Sequence, residues 1–252
     1  EQLQSLKERL GDQAHVAPYL GTYYYALNNK RDGLKDPRVR QALSMVIDRE
    51  FIADEIWSGA MLPAYTIVPP GIGNYKGGGP KVEWADLDPL DREDQAVALM
   101  EEAGYGPDNP LELEISYGTG ENHKNTATAI ADMWKPLGVN VTFNVRDGSA
   151  HYAHLRDSDD YEVARAGWIG DFSDPVNFLQ LWESDNTGFN YSKYENPEYD
   201  KLMDQAAAET DLAKREELLR QAEALLVEDS ALIPLLYYSS MSLVSPKLKG
   251  WE

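Results

Sequence analysis

The chain contains no cysteine among its 252 residues, which excludes disulfide bonds, thiolate metal sites and cysteine nucleophiles. Basic residues are also scarce: 23 lysines and arginines stand against 43 aspartates and glutamates, for a formal net charge of −20. Nucleic acids and anionic membrane surfaces attract proteins that carry a basic face, so we expect neither as a partner. No run approaches the ~20 consecutive apolar residues of a membrane-spanning helix, so we expect no direct insertion into a membrane.

The residues that are present predict a folded α/β chain. Hydrophobic residues make up 42% of the sequence, enough to offset the entropy lost on ordering. Helical and strand-like segments alternate, which predicts one α/β lobe over residues 1–252, with a mixed, mostly parallel sheet flanked by helices. Strands are predicted at 22–28, 111–117, 139–145, 162–168 and 233–244. Helices are predicted at 1–10, 36–59, 91–103, 122–137, 149–156, 175–182, 197–208 and 212–227, with a proline- and glycine-rich loop at 69–80.

The segment 164–175, ARAGWIGDFSDP, carries the most chemistry. A predicted strand ends near Trp168, glycines follow, and ligand sites in open α/β sheets lie beyond the carboxyl ends of strands. Arg165 can hold a carboxylate and Asp171 an ammonium group, so together they suit a zwitterion. In the alternative interpretation, Arg165 and Asp171 pair with each other and Trp168 lies in the core. Asp174 is predicted to be the N-cap of the next helix in either case.

This segment resembles the ARAGW…D…P signature of bacterial periplasmic oligopeptide-binding proteins, the extracytoplasmic receptors of peptide ABC importers. The resemblance runs in collinear order over essentially the whole chain. No counterpart of the family's amino-terminal portion, or of its short C-terminal return, is present. The chain therefore resembles the second large lobe of a two-lobed, class II periplasmic binding protein. Further matching segments lie at 15–29, 36–50, 61–65, 196–206 and 229–246.

The resemblance implies a binding protein and not an enzyme. Such a receptor binds short peptides by their α-amino group and C-terminal carboxylate and delivers them to the membrane permease of the importer. The expected partners are short peptides, the missing first lobe and the permease subunits, and no cofactor is expected. The implied location is periplasmic or extracytoplasmic, and a lipid anchor on the full-length protein is left open.

The resemblance also assigns residues to the two ends of a bound peptide. Asp171 matches the aspartate that receives the α-amino group. Arg165 matches the arginine on the carboxylate side of the cleft. His123 matches a histidine that helps meet the C-terminus of certain peptide lengths, and Arg156 matches a further arginine that faces the same cleft.

Other positions match the middle of the ligand site. Trp168 matches a tryptophan that lines a side-chain pocket, Tyr238 a tyrosine that contacts ligand, and Asn190 a polar pocket residue. A receptor for peptides of varied sequence must bind what all peptides share, including the main chain. Backbone atoms near Ala166, Gly167 and Trp168 are predicted to supply a strand-like edge for it, with Gly167 allowing close approach.

Two departures from the family put peptide length and side-chain preference in doubt. A tryptophan that the family can carry on the pocket wall falls at Ser149 in this sequence. A lysine that can pair with the ligand carboxylate in the family has no counterpart, since Trp57 and Ser58 stand at that place.

Alternatives of a different kind remain open. A receptor of the same fold for a murein peptide, a sugar or a metal chelate is one. A stand-alone hydrolase using Asp171 and Asp174 as a carboxylate pair is another. His151 and His154, three residues apart on a predicted helix, could share a metal ion, although ordinary helix-surface histidines are the favoured interpretation.

Overall fold

The computed structural model describes residues 3–250 and places one sheet at the centre of the chain. Within that range the sheet has six strands in the order β2-β6-β1-β5-β3-β4. They are β1 (Ala14–Leu27), β2 (Leu62–Pro63), β3 (Leu111–Gly118), β4 (Val139–Arg146), β5 (Val163–Ile169) and β6 (Leu232–Leu243).

Helices cover both faces of the sheet, and most of them lie where the sequence predicts. They are α1 (Leu3–Leu10), α2 (Pro37–Met45), α3 (Arg49–Phe51), α4 (Pro89–Glu102), α5 (Glu121–Met133), α6 (Gly148–Asp157), α7 (Val176–Leu179), α8 (Pro197–Ala208) and α9 (Leu212–Glu228). The prediction of one helix from 36 to 59 is wrong, because α2 ends at Met45. Asp48 then accepts a hydrogen bond from the Phe51 N–H (2.8 Å) and begins α3, which continues into a π-helical turn, Ile52–Ile56.

The predicted mixed sheet flanked by helices is confirmed, and its parallel part consists of three strands. β3 runs parallel to both β4 and β5. Helical connections through α5 and α6 separate these strands in sequence, as parallel pairing requires. The other pairs, β1 with β5, β1 with β6 and β2 with β6, are antiparallel, so parallel pairing is less extensive than predicted.

Alternation along β1 divides the buried side chains between the two faces of the sheet. Tyr23 and Tyr25 point to the face that also buries residues of α2, α4 and α5. Tyr24 and Ala26 point to the opposite face, against α7, α8 and α9. All three tyrosines are almost completely buried, because successive side chains of a central strand point to opposite faces and helices cover both.

A buried carboxylate fixes the proline- and glycine-rich loop at 69–80 and the residues before it. Glu223 of α9 accepts hydrogen bonds from the N–H groups of Ile67 and Val68 (both 2.9 Å) and from the hydroxyl of Tyr75 (2.7 Å). Burial raises the pKa of Glu223 to about 7, although these hydrogen bonds oppose the rise. Glu223 therefore ties the loop to α9 from inside the fold, and Glu216 and Arg220 of the same helix add hydrogen bonds to Gly77 and Gly78 (3.3 Å each).

Candidate functional site

The site lies along β5, and the register of β1 decides which backbone atoms are available there. Just beyond β5, the N–H of Gly170 donates to the carbonyl of Leu20 (2.7 Å), which sets the hydrogen-bonding phase of the antiparallel ladder. The alternating residues that bond to β1 are Ala164, Ala166 and Trp168. The N–H and C=O groups of Arg165, Gly167 and Ile169 consequently point away from β1.

Strand β3 covers that outer edge of β5 only in part. Its last pair with β5 joins Ser116 to Ala164. Within residues 3–250, no strand pairs with the edge beyond that point. Gly167 therefore fits the predicted edge, but Ala166 and Trp168 do not, because their backbone groups bond to β1. Ala166 is also fully buried.

The guanidinium group of Arg165 is held by aromatic side chains. Its Nη1 donates to the hydroxyl of Tyr152 (2.9 Å), its Nη2 donates to that of Tyr238 (3.3 Å), and its Cζ lies 4.8 Å from the centre of the Tyr23 ring. Burial by itself would lower the pKa of Arg165, but the three tyrosines outweigh it and the pKa is raised. No ion pair joins Arg165 to any carboxylate of the described residues, so the alternative pairing of Arg165 with Asp171 is wrong.

Tyr238 and Gly167 depend on each other. A Cβ atom at position 167 would lie 2.7 Å from the Tyr238 hydroxyl, closer than real Cβ atoms approach. Only glycine at this position lets the tyrosine reach over the strand to Arg165. The structure thus brings together three of the predicted site residues: Arg165, Gly167 and Tyr238.

His123 joins the same cluster from the start of α5. Its ring stacks on Tyr23 with the ring centres 5.6 Å apart, and its Nδ1 lies 3.2 Å from the Tyr23 hydroxyl. The centre of the Trp57 ring lies 5.9 Å from that of the His123 ring, and Trp57 stands at the place of the lysine considered above. Burial, followed by the positive charge of Arg165 and the neighbouring His151, lowers the pKa of His123 to about 4. His123 is therefore neutral at pH 7, and Arg165 supplies the positive charge of this cluster.

Asp171 lies in the turn that follows β5, and its side chain is exposed. Within the described residues, no hydrogen bond or ion pair engages its carboxylate. Asp174 is different: it lies one residue before Pro175, the N-cap of α7, so its predicted place is off by one residue, although its Oδ1 still accepts from the N–H of Val176 (2.9 Å). It also receives two hydrogen bonds from Arg215 (2.9 Å each). Because Asp174 is committed to these contacts, the geometry does not support a catalytic pair of Asp171 and Asp174.

Trp168 lies on the face of β5 opposite the side chain of Arg165. Its Nε1 donates to Oδ1 of the buried Asn177 (2.7 Å), and its ring meets Phe189 edge to face with the centres 5.2 Å apart. Phe172, on the same turn as Asp171, is 50% exposed. The rings of Trp168 and Phe189 form an aromatic wall that fits the predicted side-chain pocket.

Two predicted residues lie outside the cluster. Arg156 is exposed on the last turn of α6 and pairs with Asp157 (3.0 Å). Asn190 is buried, and its side-chain amide donates to the carbonyls of Glu183 (3.3 Å) and Tyr194 (2.8 Å), while its Oδ1 accepts from the Tyr194 N–H (3.1 Å). Asn190 lines a cavity together with Ser184 and Thr187, but no residue of β5 lines that cavity, and its amide shapes the loop that carries Phe189.

Several residues of the site were not predicted. Tyr23 is one of them, and the register of the ladder places it beside Gly167. The others are Tyr152, Phe189 and Asn177, for which the sequence offers no signal beyond residue type. The sequence marks Trp57 only as the residue at the place of a lysine, whereas the structure packs its ring against Tyr23 and His123.

The two histidines considered as metal ligands are engaged otherwise. Nε2 of His151 lies 2.7 Å from the carbonyl oxygen of Arg165, and Nε2 of His154 lies 3.0 Å from that of Asp160. Because a carbonyl only accepts, each Nε2 carries the hydrogen and cannot ligate a metal ion. In the part of the chain that the structure describes, no three potential metal ligands cluster together.

Comparisons with known proteins agree on one family. Residues 1–190 match the family described as bacterial extracellular solute-binding proteins, family 5, middle. The periplasmic oligopeptide-binding protein OppA of Salmonella typhimurium is 37% identical over 254 residues, which cover 100% of this chain and 46% of that protein. The periplasmic murein peptide-binding protein MppA of Escherichia coli is 36% identical over 249 residues, which cover 98% of this chain and 46% of that protein.

A solved structure has the same fold. The crystal structure of Haemophilus influenzae OppA in complex with the peptide RPPGFSPFR superposes with a TM-score of 0.90 at 34% identity, covering 100% of this chain and 49% of that one. This chain spans about half the length of the relatives it matches. Among the described residues, no helix is both long and apolar enough to cross a bilayer. The sequence match over the whole of this chain and the shared fold establish that the chain belongs to family 5 of the bacterial extracellular solute-binding proteins.

Proposed function

We propose that this chain is the peptide-binding lobe of an extracytoplasmic receptor that binds short peptides and delivers them to the permease of an ABC importer. The observation that carries the proposal is the arrangement along β5. A largely buried guanidinium without an acidic partner and an exposed carboxylate without a basic partner flank an unpaired strand edge at Gly167. A free peptide carries the charges and hydrogen-bonding groups that complement all three features.

The positions of the charges set the direction of the bound peptide. The α-ammonium group lies at Asp171, beyond the end of β5, and the terminal carboxylate lies near Arg165. The ligand main chain then runs antiparallel to β5 and forms hydrogen bonds with Gly167. Neutral His123, beside Arg165, completes the carboxylate end as a hydrogen-bonding group and not as a second cation.

The variable side chains of the peptide are accommodated elsewhere. Ligand residues that point to the other face of β5 meet the aromatic wall of Trp168 and Phe189, and the exposed Phe172 lies in the turn that follows the strand. Aromatic rings offer large apolar contact with little demand on the sequence of the ligand, which suits a receptor of broad preference. The exposed position of the wall leaves room for water around smaller side chains.

A second lobe is part of the proposal. β1 and β6 extend beyond the rest of the sheet as a two-stranded ribbon, in which Val16 lies opposite Met241. Val16, Met241 and Leu243 share one face of this ribbon and are 39%, 57% and 57% exposed. An apolar face of this kind suits contact with the first lobe of the same receptor, which would cover the site by hinge closure. The relatives named above are periplasmic, and we propose an extracytoplasmic location for this protein too.

The test is calorimetric titration of the full-length receptor with a tripeptide and with its N-acetylated form. Asp171→Asn keeps the shape of the side chain and removes its charge. A hydrogen bond to a charged group contributes ~1.5–3 kcal/mol, so the variant should bind the free-amine tripeptide about 10- to 100-fold more weakly. It should bind the acetylated form almost as the wild type does.

Asp204→Asn, at an exposed position on α8, is the matched control and should change neither affinity. Equal losses for both ligands in Asp171→Asn would remove Asp171 from the amine site. The isolated lobe should fold and bind peptides weakly, because it holds only part of the site, and full affinity in the isolated lobe would contradict the two-lobed proposal. Mass spectrometry of the ligand that co-purifies with the receptor separates ordinary oligopeptides from murein peptides.

A further inference from the structure

His151 occupies the place on the β5 edge where β3 stops. β3 pairs with β5 as far as Ala164, and the next backbone acceptor on that side is the carbonyl of Arg165. His151, which is fully buried on α6, donates to this carbonyl through Nε2 (2.7 Å). Its neighbour Tyr152 accepts from Nη1 of the same arginine (2.9 Å). One turn of α6 therefore holds both the backbone and the side chain of Arg165.

The chemistry of this histidine marks it as more than a packing residue. Nε2 must carry the hydrogen, which leaves Nδ1 as the lone-pair nitrogen of a neutral ring. Nδ1 is buried and has no hydrogen-bond partner. Burial lowers the pKa of His151, and the charges of Arg165 on β5, Arg146 on β4 and His154 on the same helix lower it further, although the hydrogen bond to the Arg165 carbonyl opposes them. A simple apolar side chain would fill the space without an unpaired buried nitrogen, so the donated hydrogen bond is the feature that requires histidine.

We propose that His151 is a positioning residue that limits the length of the bound peptide. By engaging the Arg165 carbonyl, it ends the strand edge that a ligand can use, so the peptide main chain pairs only with Gly167 and Ile169. This inference rests on the proposed function and deepens it. In an antiparallel ladder, residues that form both hydrogen bonds are two apart, so an edge of Gly167 and Ile169 matches a ligand of about three residues.

Removing the donor should extend the edge. In His151→Leu, the Arg165 carbonyl can accept from a ligand N–H two residues further along. A peptide of five residues then gains one hydrogen bond that a tripeptide cannot reach. At ~0.5–1.5 kcal/mol for a neutral hydrogen bond, the ratio of pentapeptide to tripeptide affinity should rise about 2- to 12-fold.

The experiment measures this ratio by calorimetry with trialanine and pentaalanine, using the full-length receptor. His151→Gln retains an N–H donor on a side chain of similar reach and should keep the wild-type ratio. His154 lies on the same helix, and its hydrogen bond to the carbonyl of Asp160, just after the helix, is away from the β5 edge. His154→Leu removes that hydrogen bond and should also keep the wild-type ratio. A purely structural role of His151 would lower both affinities together and leave the ratio unchanged, which would overturn the proposal.

A measurement on the wild type decides the question even if His151→Leu does not fold. The ¹⁵N resonances of the His151 ring report whether Nε2 stays hydrogen-bonded to Arg165. We expect them to stay unchanged when trialanine and pentaalanine bind, and displacement of the ring by pentaalanine would overturn the proposal. Failure of the wild type to bind any peptide would instead refute the proposed function, whereas binding with the ratio unchanged in His151→Leu would refute only the role of His151.

Discussion

Replacing Glu223 with glutamine isolates the free-energy cost of burying one carboxylate. Glutamine has the shape of the protonated acid, can accept from the Ile67 and Val68 N–H groups through its oxygen, and can donate to the Tyr75 hydroxyl. The pKa of Glu223 is raised from 4.5 to about 7 in the folded chain, mainly by burial. The folded chain therefore holds this proton to a higher pH than the unfolded chain does.

The sign of the effect follows from that difference in proton binding. The stability that the protonated side chain contributes is fully present below pH 4.5 and is lost as the pH rises through 7. At ~1.4 kcal/mol for each tenfold change in proton affinity, the rise to about 7 corresponds to about 3 kcal/mol. Relative to Glu223→Gln, the wild type should lose about this amount of unfolding free energy between pH 4 and pH 8.

Urea denaturation of the wild type and Glu223→Gln at several pH values between 4 and 8 measures the difference. Other titrating groups are common to both proteins and cancel. Glu228→Gln, at an exposed position at the end of the same helix, should give a profile parallel to that of the wild type. A wild type that gains stability over Glu223→Gln as the pH rises would show that the hydrogen bonds to Glu223 outweigh its burial, and the reasoning would be refuted.

Two further predictions concern the site itself. Gly167→Ala should weaken peptide binding in a calorimetric titration, because the new methyl group would lie 2.7 Å from the Tyr238 hydroxyl, whereas Gly188→Ala, whose methyl group has only Asn186 at 4.0 Å, should not. The ring of His123 should titrate near pH 4 in an NMR experiment, and a midpoint near 6.5 would contradict the burial of this ring. Because only the unfolded chain takes up this proton between pH 6.5 and 4, the free energy of unfolding should fall as the pH drops through that range.

Local signals in the sequence account for the elements that were predicted well. Asn196 followed by Pro197 marks the start of α8, and the helix spans the predicted residues because its cap and its apolar spacing agree. The segments at 111–117 and 139–145 become β3 and β4 because their alternation of apolar and polar residues matches the two faces of a strand. The break after Met45 was missed because the apolar spacing continues across it, while the cap at Asp48 prevails locally.

The site was predicted where a motif carries it and missed where tertiary contacts create it. The segment at 164–175 marks Arg165 and Asp171 as candidates, and the structure places Arg165 on β5 and Asp171 in the exposed turn that follows it. The sequence does not reveal the phase of the β1–β5 ladder, so the edge was assigned to Ala166 and Trp168 as well as Gly167. The contact of Tyr152 with Arg165 spans 13 residues and depends on how α6 crosses the sheet, which periodicity alone does not determine.

The pleat of β5 separates two tasks that share one strand. Arg165 projects to one side and Trp168 to the other, so in the proposed receptor the group that meets the ligand carboxylate and the rings that meet the variable side chains lie on opposite faces of the strand. Under that proposal, substitutions around Phe189 should change which peptides are favoured without moving Arg165. In this arrangement, seven residues of one strand let side-chain preference evolve while the charged group that selects the class of ligand stays in place.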